Sequence, residues 1–402
     1  MGHLESLKSV GDPTDRPPSP TPPEQSVSPT FCRIPNQLFS GATNSPEPSR
    51  IPMAEDGSPG PALPGLHIPS STEHLAIDPD IDSDDNDSAL GGSMNDHPLS
   101  SASIASTVFN YRRLHGRTFH NFETGDLQYW GPNDEEMSEG MDYFHHALQM
   151  ALDDKLFLAP LEGPQEVLDI GAGTGMWAID FADSFPSASV TGIDLSPTLP
   201  SWLPPNCRFV IDDLSKPWAF PDNHFDFIHI RYMMGCFRDW TRLYKECFRC
   251  LKPGGWLQHG EPSPTLRSDD GTLPEIWAEW TGHCMRASEM LGQPFDIPAD
   301  PRWPQWLEEA GFPVAGIRKK TFHMPTGMWP AEKKWKTIGA LHGLALDVGL
   351  EGFILYTHTR VLGWEYSEVQ AFLARVRAAL RSRRNHTYVV WTFAWVQKPL
   401  VE

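Results

Sequence analysis

Between residues 166 and 262 the chain alternates short β-branched or aliphatic runs with longer segments of helical character. The first run, 166–170, stops at Gly171-Ala172-Gly173-Thr174-Gly175. The second, 190–194, ends in Asp194, and the third, 207–211, stops before Asp212-Asp213. A fourth, 225–230, follows the turn Pro221-Asp222-Asn223-His224. The fifth, 256–259, comes after Leu251-Lys252-Pro253-Gly254-Gly255, where proline and glycine end a helix. Residues 388–396 read as a final strand. This rhythm predicts an α/β fold, a mostly parallel sheet with helices on both faces.

Helical spacing marks the remainder. Asn133-Asp134-Glu135-Glu136 supplies a cap and first-turn acids, and Met137, Met141, Phe144, Leu148 and Ala151 follow on one face. This helix is expected to pack beside the first strand, with its stripe as core. A segment at 271–291 carries Trp277, Trp280, Met285 and Met290 after the carboxyl end of the fifth strand, which makes it either a lid or plain core. A second helical insertion, 329–384, precedes the final strand.

The glycine loop sets the chemistry. Glycines at alternate positions let the chain turn sharply and let a ligand approach the backbone. A dinucleotide fingerprint places its third glycine three residues after the second, whereas Gly175 follows Gly173 by two. Asp169, just before the loop, repels phosphate and suits a ligand with a cationic ammonium group, such as S-adenosylmethionine. Asp194, 19 residues past Gly175, stands where a second strand offers a carboxylate to ribose hydroxyls. A carboxylate at Asp212 or Asp213 is placed to accept the exocyclic amine of adenine.

The ordered set VLDIGAGTG, GIDLS, Asp212-Asp213, PDNHFDFIH and LKPGGW resembles the motifs of class I S-adenosylmethionine-dependent methyltransferases over residues 166–262. Residues 116–120 (GRTFH) and 129–136 (YWGPNDEE) are similar to the lead-in of the fungal LaeA-like methyltransferases, although that family more often has leucine where Trp130 and Gly131 stand. Gly175 to Asp180 and Lys216-Pro217-Trp218 add to the match. The resemblance implies a Rossmann-like seven-stranded sheet with an antiparallel last strand. It implies S-adenosyl-L-methionine as cofactor, held by Asp169, Gly171, Gly173, Gly175, Asp194, Leu195, Asp212 and Asp213. It also implies a role in secondary metabolism, as a cluster enzyme or as a regulator of gene clusters.

Composition divides the chain. Of the 39 prolines 17 lie in residues 1–100, which hold no Trp or Tyr and only Phe31 and Phe39. Too little apolar surface is present there to offset ordering entropy, so residues 1–105 are expected to be a disordered tail and 106–402 the methyltransferase domain. The acid run 77–85 reads as a solvated charge run more than a partner-binding tail. A net charge of -20 argues against a general nucleic-acid face. The one dense basic patch, Arg375, Arg377, Arg381, Arg383 and Arg384, reads as the polar side of a helix. Six cysteines form no disulfide framework, Cys247 and Cys250 have no second pair to complete a metal site, and the amino terminus lacks a secretory pattern. The cytoplasm or nucleus is the expected location. No unbroken apolar run approaches 18 residues, so no membrane partner is expected.

Methyl transfer asks mainly for a nucleophile held in line and for water to be excluded. His229, His259 and Glu261 stand near strand ends where a base would be wanted, but a hydrogen-bonded structural role suits each better, and the catalytic residues stay unassigned. The two helical insertions, over the carboxyl edge, would close an aromatic pocket for a medium-sized apolar or heteroaromatic acceptor. A peptide segment is the other occupant such a pocket admits. Two roles remain open: a small-molecule methyltransferase, and a cofactor-binding regulator acting through a protein partner.

Overall fold

The computed structural model describes residues 111–120, 129–198, 200 and 202–400. The expected tail, its acid run and the boundary at 105 lie outside these residues. The described chain opens with a hairpin, β1 (Arg112–Leu114) and β2 (Arg117–Phe119), which turns through His115 and Gly116, both at positive φ. Helix α1 (Glu135–Ala151) follows, capped by Asp134, whose carboxylate accepts from the Met137 N–H.

Next come β3 (Glu166–Ile170), α2 (Met176–Ser184), β4 (Ser189–Asp194), β5 (Cys207–Ile211), β6 (Phe225–Arg231), α3 (Trp240–Cys250) and β7 (Leu251–Arg267). Helices α4 (Ile276–Leu291) and α5 (Trp303–Glu309) lead to β8 (Arg318–Pro325), then α6 (Lys333–Tyr356), α7 (Tyr366–Arg381) and β9 (Tyr388–Gln397). The seven strands of the main sheet are ordered β5-β4-β3-β6-β7-β9-β8. Neighbours from β5 to β7 are parallel, and β9 runs antiparallel to both β7 and β8. Val167, Leu168, Ile170, Ile228 and Ile230 on the central strands are wholly buried, as a sheet covered on both faces requires.

Three expectations change. The fifth strand runs on from Trp256 past His259 to Arg267, because β9 pairs with it that far, while the ladder to β6 skips from Leu251 to Trp256, so the proline and glycines do interrupt the pairing. Strand β8 was not anticipated: its opening Arg318-Lys319-Lys320 has no apolar alternation, and charge of this kind suits a sheet edge. Helix α1 lies chiefly along α6 and not beside the first strand. A Cβ at Gly140 would stand 3.4 Å from the Ala345 carbonyl and 3.5 Å from the Gly349 nitrogen, so glycines on both helices permit the close approach.

Helix α6 also qualifies the membrane expectation. The helical stretch Lys333–Val361, 29 residues long, is apolar and long enough to cross a membrane by composition alone. Its apolar sides are taken up by α1, β8 and α7, and half of its most apolar window is buried within the protein. The arginines of α7 are consumed locally: Arg375 pairs with Glu279 at 2.6 Å and Arg381 with Asp347 at 2.7 Å.

Candidate active site

The loop between β3 and α2 takes its shape from three glycines at positive φ: Gly171 (70°), Gly173 (56°) and Gly175 (82°). Their neighbours separate their roles. A Cβ on Gly171 would strike Met233 Sδ and one on Gly175 the Phe209 ring, whereas one on Gly173 meets nothing within 4 Å. The outer glycines serve packing, and the middle one faces open space. The N–H groups of Gly171 and Ala172 donate to the Ile193 carbonyl at 2.9 and 3.0 Å. Asp194 then receives the Gly173 N–H on Oδ2 at 2.8 Å and the Ser196 N–H on Oδ1 at 3.0 Å, so β4 fixes the loop that β3 presents.

A cavity of about 1380 Å³ opens at the carboxyl ends of these strands. Asp169, Gly171, Gly173, Asp194, Leu195, Asp212 and Asp213 all stand in its wall. Gly175 does not, and acts as the cap position of α2. Asp213 is tied into its own turn, accepting from the Ser215 N–H at 2.9 Å and the Ser215 hydroxyl at 2.6 Å.

The wall also includes His120, Tyr129, Pro132 and Asn133, which sequence reasoning quoted as a family signature but not as site residues. His120 Nδ1 and the Ser196 hydroxyl lie 2.6 Å apart, and Asn133 Nδ2 donates to the same hydroxyl at 3.0 Å. Arg117 anchors this strap. It is 8% exposed, donates to Asp134 at 2.7 Å, and lies 3.5 Å from Glu136 and 3.9 Å from Glu351. The recurrence of GRTFH and NDEE in one motif was the available signal.

Behind the loop runs a buried polar chain. Asp169 Oδ1 meets His229 Nδ1 at 2.8 Å, and the His229 Nε2 has no partner among the described residues. Burial holds the imidazole well below its ordinary pKa, with Arg231 adding to the effect, so His229 is neutral and donates its Nδ1–H. Burial pushes the Asp169 carboxyl up to about 7 against the opposing pull of Arg231 and His145. Arg231 donates to His145 Nδ1 at 3.1 Å, which leaves His145 Nε2–H to donate to Asp180 at 2.8 Å. His229 and Arg231, two residues apart on β6, share the cavity side.

His259 and Glu261 stand elsewhere. The Tyr244 hydroxyl donates to His259 Nδ1 at 2.7 Å, and His259 Nε2–H donates to Glu261 at 2.7 Å. Glu261 also accepts the N–H groups of Met233 and Met234 at 2.7 and 3.1 Å, which pins the turn after β6. Both side chains are spent on structure and neither lines the cavity.

A second cavity of about 660 Å³ adjoins the first, walled by α4, α6 and β9. Phe144, Tyr232 and Trp391 belong to both walls. The lid and core readings of α4 merge here, since Trp277 and Trp280 are buried and also line this chamber. Met290 points away and is exposed.

An open site at the carboxyl edge of β3 and β4, a glycine loop under a strand-end acid, and a last strand inserted antiparallel define a class I methyltransferase. The family model of the methyltransferase domain matches residues 143–315. The chain is 40% identical over 311 residues to the methyltransferase pytC of Aspergillus terreus, which covers 76% of this chain and 93% of that protein. It is 35% identical over 289 residues to the secondary metabolism regulator LAE1 of Cochliobolus heterostrophus, covering 69% and 92%. With the protein-methionine methyltransferase laeA of Emericella nidulans it shares 30% over 300 residues, covering 72% and 77%. The chain belongs to the LaeA-like family of fungal methyltransferases.

Proposed function

We propose that the protein transfers a methyl group from S-adenosylmethionine to a small-molecule acceptor of fungal secondary metabolism. The observation that carries this reading is the pair of adjoining cavities, one lined by acids and built on the glycine loop, the other without a charged side chain, sharing the walls Phe144, Tyr232 and Trp391. The first fits the cofactor. Gly173 leaves room where a Cβ would stand, Asp194 keeps lone pairs for ribose hydroxyls, and Asp169 supplies negative charge near a cationic methionine portion.

The bound cofactor would supply a methyl group on a positively charged sulfur; transfer breaks the C–S bond, forms a bond to the acceptor and leaves neutral S-adenosylhomocysteine. The chain's residues position and dehydrate the reactants. Asp194 and the loop hold one end, His120, Tyr129 and Asn133 wall the cavity, and the shared aromatic rings exclude water from the junction. No proton-accepting side chain is assigned.

A purified-protein assay with methyl-labelled S-adenosylmethionine and extracted metabolites tests this. Label appearing in a small organic product supports it. Label confined to protein, or cofactor binding without transfer, favours a second reading, a cofactor-dependent regulator acting through a protein partner. The likeness to LAE1 supports that alternative. Five free thiols among the described residues suit a reducing cytoplasm or nucleus for either role.

A further inference from the structure

The chamber beside the cofactor cavity has an unusual chemical balance. Its wall contains no Asp, Glu, Lys or Arg, and eight of its side chains are Phe, Tyr or Trp. A charged ligand entering it would lose its hydration with no counter-charge to replace it. Flat rings, in contrast, find flat partners: Tyr232 lies 5.7 Å from Trp391 and 5.2 Å from Phe144 between ring centroids, and Trp277 meets Trp280 edge-on at 6.1 Å.

Some polar atoms on this wall are already spent, the Trp130 indole N–H among them, on the Met234 carbonyl at 3.2 Å. The Ser263 hydroxyl is spent, donating to Asp296 at 2.8 Å. The indole N–H groups of Trp277 and Trp391 are buried with no hydrogen-bond partner among the described residues. Buried indole donors ordinarily find an acceptor, so two unpartnered ones in the wall of one chamber point to oxygens that a ligand brings. His342 is the complement. Its Nδ1–H donates to the Pro325 carbonyl at 2.8 Å, which leaves the Nε2 lone pair as the ring's acceptor. Burial keeps this imidazole neutral, with its pKa lowered to about 4.

We propose that this chamber seats the methyl acceptor, and that the acceptor is an uncharged planar aromatic compound carrying a carbonyl and a hydroxyl on its rim. The carbonyl takes the indole N–H of Trp277 or Trp391, and the hydroxyl donates to His342. Tyr232 stands at the threshold, with its φ held at 59°. A bulky non-glycine residue adopts that conformation only under constraint, here in the turn whose N–H groups Glu261 holds. The turn thereby fixes a ring where the acceptor's reacting edge must meet the cofactor cavity. This inference rests on the proposed methyltransferase function for its account of what enters from the other side.

The test uses the full chain and two fluorescent probes, 7-hydroxycoumarin in its protonated form and 7-hydroxycoumarin-3-carboxylate. The uncharged probe is expected to bind with saturable quenching, and the carboxylate at least about tenfold more weakly. His342→Phe and Trp277→Phe keep ring bulk but remove one polar atom each, and each should weaken the uncharged probe about three- to tenfold. Calorimetry with S-adenosylhomocysteine should give the wild-type Kd in both variants. If either variant fails to fold, Leu346→Trp fills the chamber from its wall and must abolish probe binding. Equal affinity for the two probes, absence of binding by the uncharged probe, or indifference to all three variants overturns the proposal. Loss of S-adenosylhomocysteine binding in the wild-type protein with probe binding intact would instead sink the methyltransferase reading and leave the chamber standing.

Discussion

The His229 imidazole lies flat on the Trp177 indole, 3.8 Å between centroids and 7° from parallel, while its Nδ1–H is given to Asp169. Strand β6 thus supplies a ring that fixes a carboxylate on β3, and α2 supplies the surface that fixes the ring. Asp169 is thereby held in place beneath the loop with its charge poised.

That charge makes cofactor affinity depend on pH. In the free protein burial raises the Asp169 carboxyl to about 7, and an ammonium or sulfonium nearby favours its ionised form. Binding therefore expels a proton below that value. Affinity for S-adenosylmethionine should rise as pH increases through about 7 and level off above it, with a slope of up to about tenfold per unit on the acid side. Calorimetry in buffers of different ionisation heat measures the proton directly. Asp169→Asn should flatten the profile, and a wild-type profile already flat from about pH 6 to 8 would contradict the assignment.

The middle glycine and its acid should be the most sensitive loop positions. Gly173→Val forces a β-branched side chain to φ 56° and pushes it into the cavity, so cofactor binding should be lost with the sheet intact. Asp194→Ala removes the acceptor for two backbone N–H groups and for ribose, at a cost of about 1.5–3 kcal/mol in affinity. Unchanged affinity in both variants would remove the cofactor site from this loop.

Arg117 should matter more than its place in a three-residue strand suggests. Arg117→Met leaves Asp134, Glu136 and Glu351 without their shared cation; since the partners are partly solvated, the expected loss is about 1–3 kcal/mol of stability. Urea denaturation measures it, and Arg117→Lys should recover part. Cofactor affinity should fall as well, because His120 and Asn133 lose their anchor. A variant with wild-type stability and affinity would show the strap to be independent of this residue.

Removing residues 1–100 should leave the thermal midpoint and cofactor affinity almost unchanged, because that segment offers so few apolar side chains to a core. A fall of many degrees on differential scanning would show that it packs on the domain.

The sheet was legible where sequence pattern and burial coincide. Strands β3 to β6 begin or end within a residue of their apolar runs because both their faces are covered. Strand β8 was illegible because an edge strand needs no such run, and β7 was read short because it continues past His259 through Pro262 and Pro264, with the pairing to β9 resuming at Leu266. At the site, Asp169, Asp194, Asp212 and Asp213 were found by local spacing, which the parallel sheet converts into proximity. The contributions of His120 and Asn133 arise from a strap some 60 to 80 residues away from Ser196 in sequence, and the convergence of His342 and Trp391 depends on packing of the insertions. Spacing carries no information about such meetings. His259 and Glu261 sat at a strand end as expected, yet their side chains point to Tyr244 and to a turn instead of to a ligand.

Strand β9 is the last strand of the sheet in chain order and yet it lies between β7 and β8, not at the rim of the sheet. Until Tyr388 to Gln397 have been synthesised, the nascent chain carries two strand edges without their partner, ending 121 residues earlier in β7 and 63 earlier in β8, and a chamber missing the wall that Trp391 provides. The reaction site can close only after β9 has been made, so chains that stop short of it would be exposed to aggregation before they could act on any substrate.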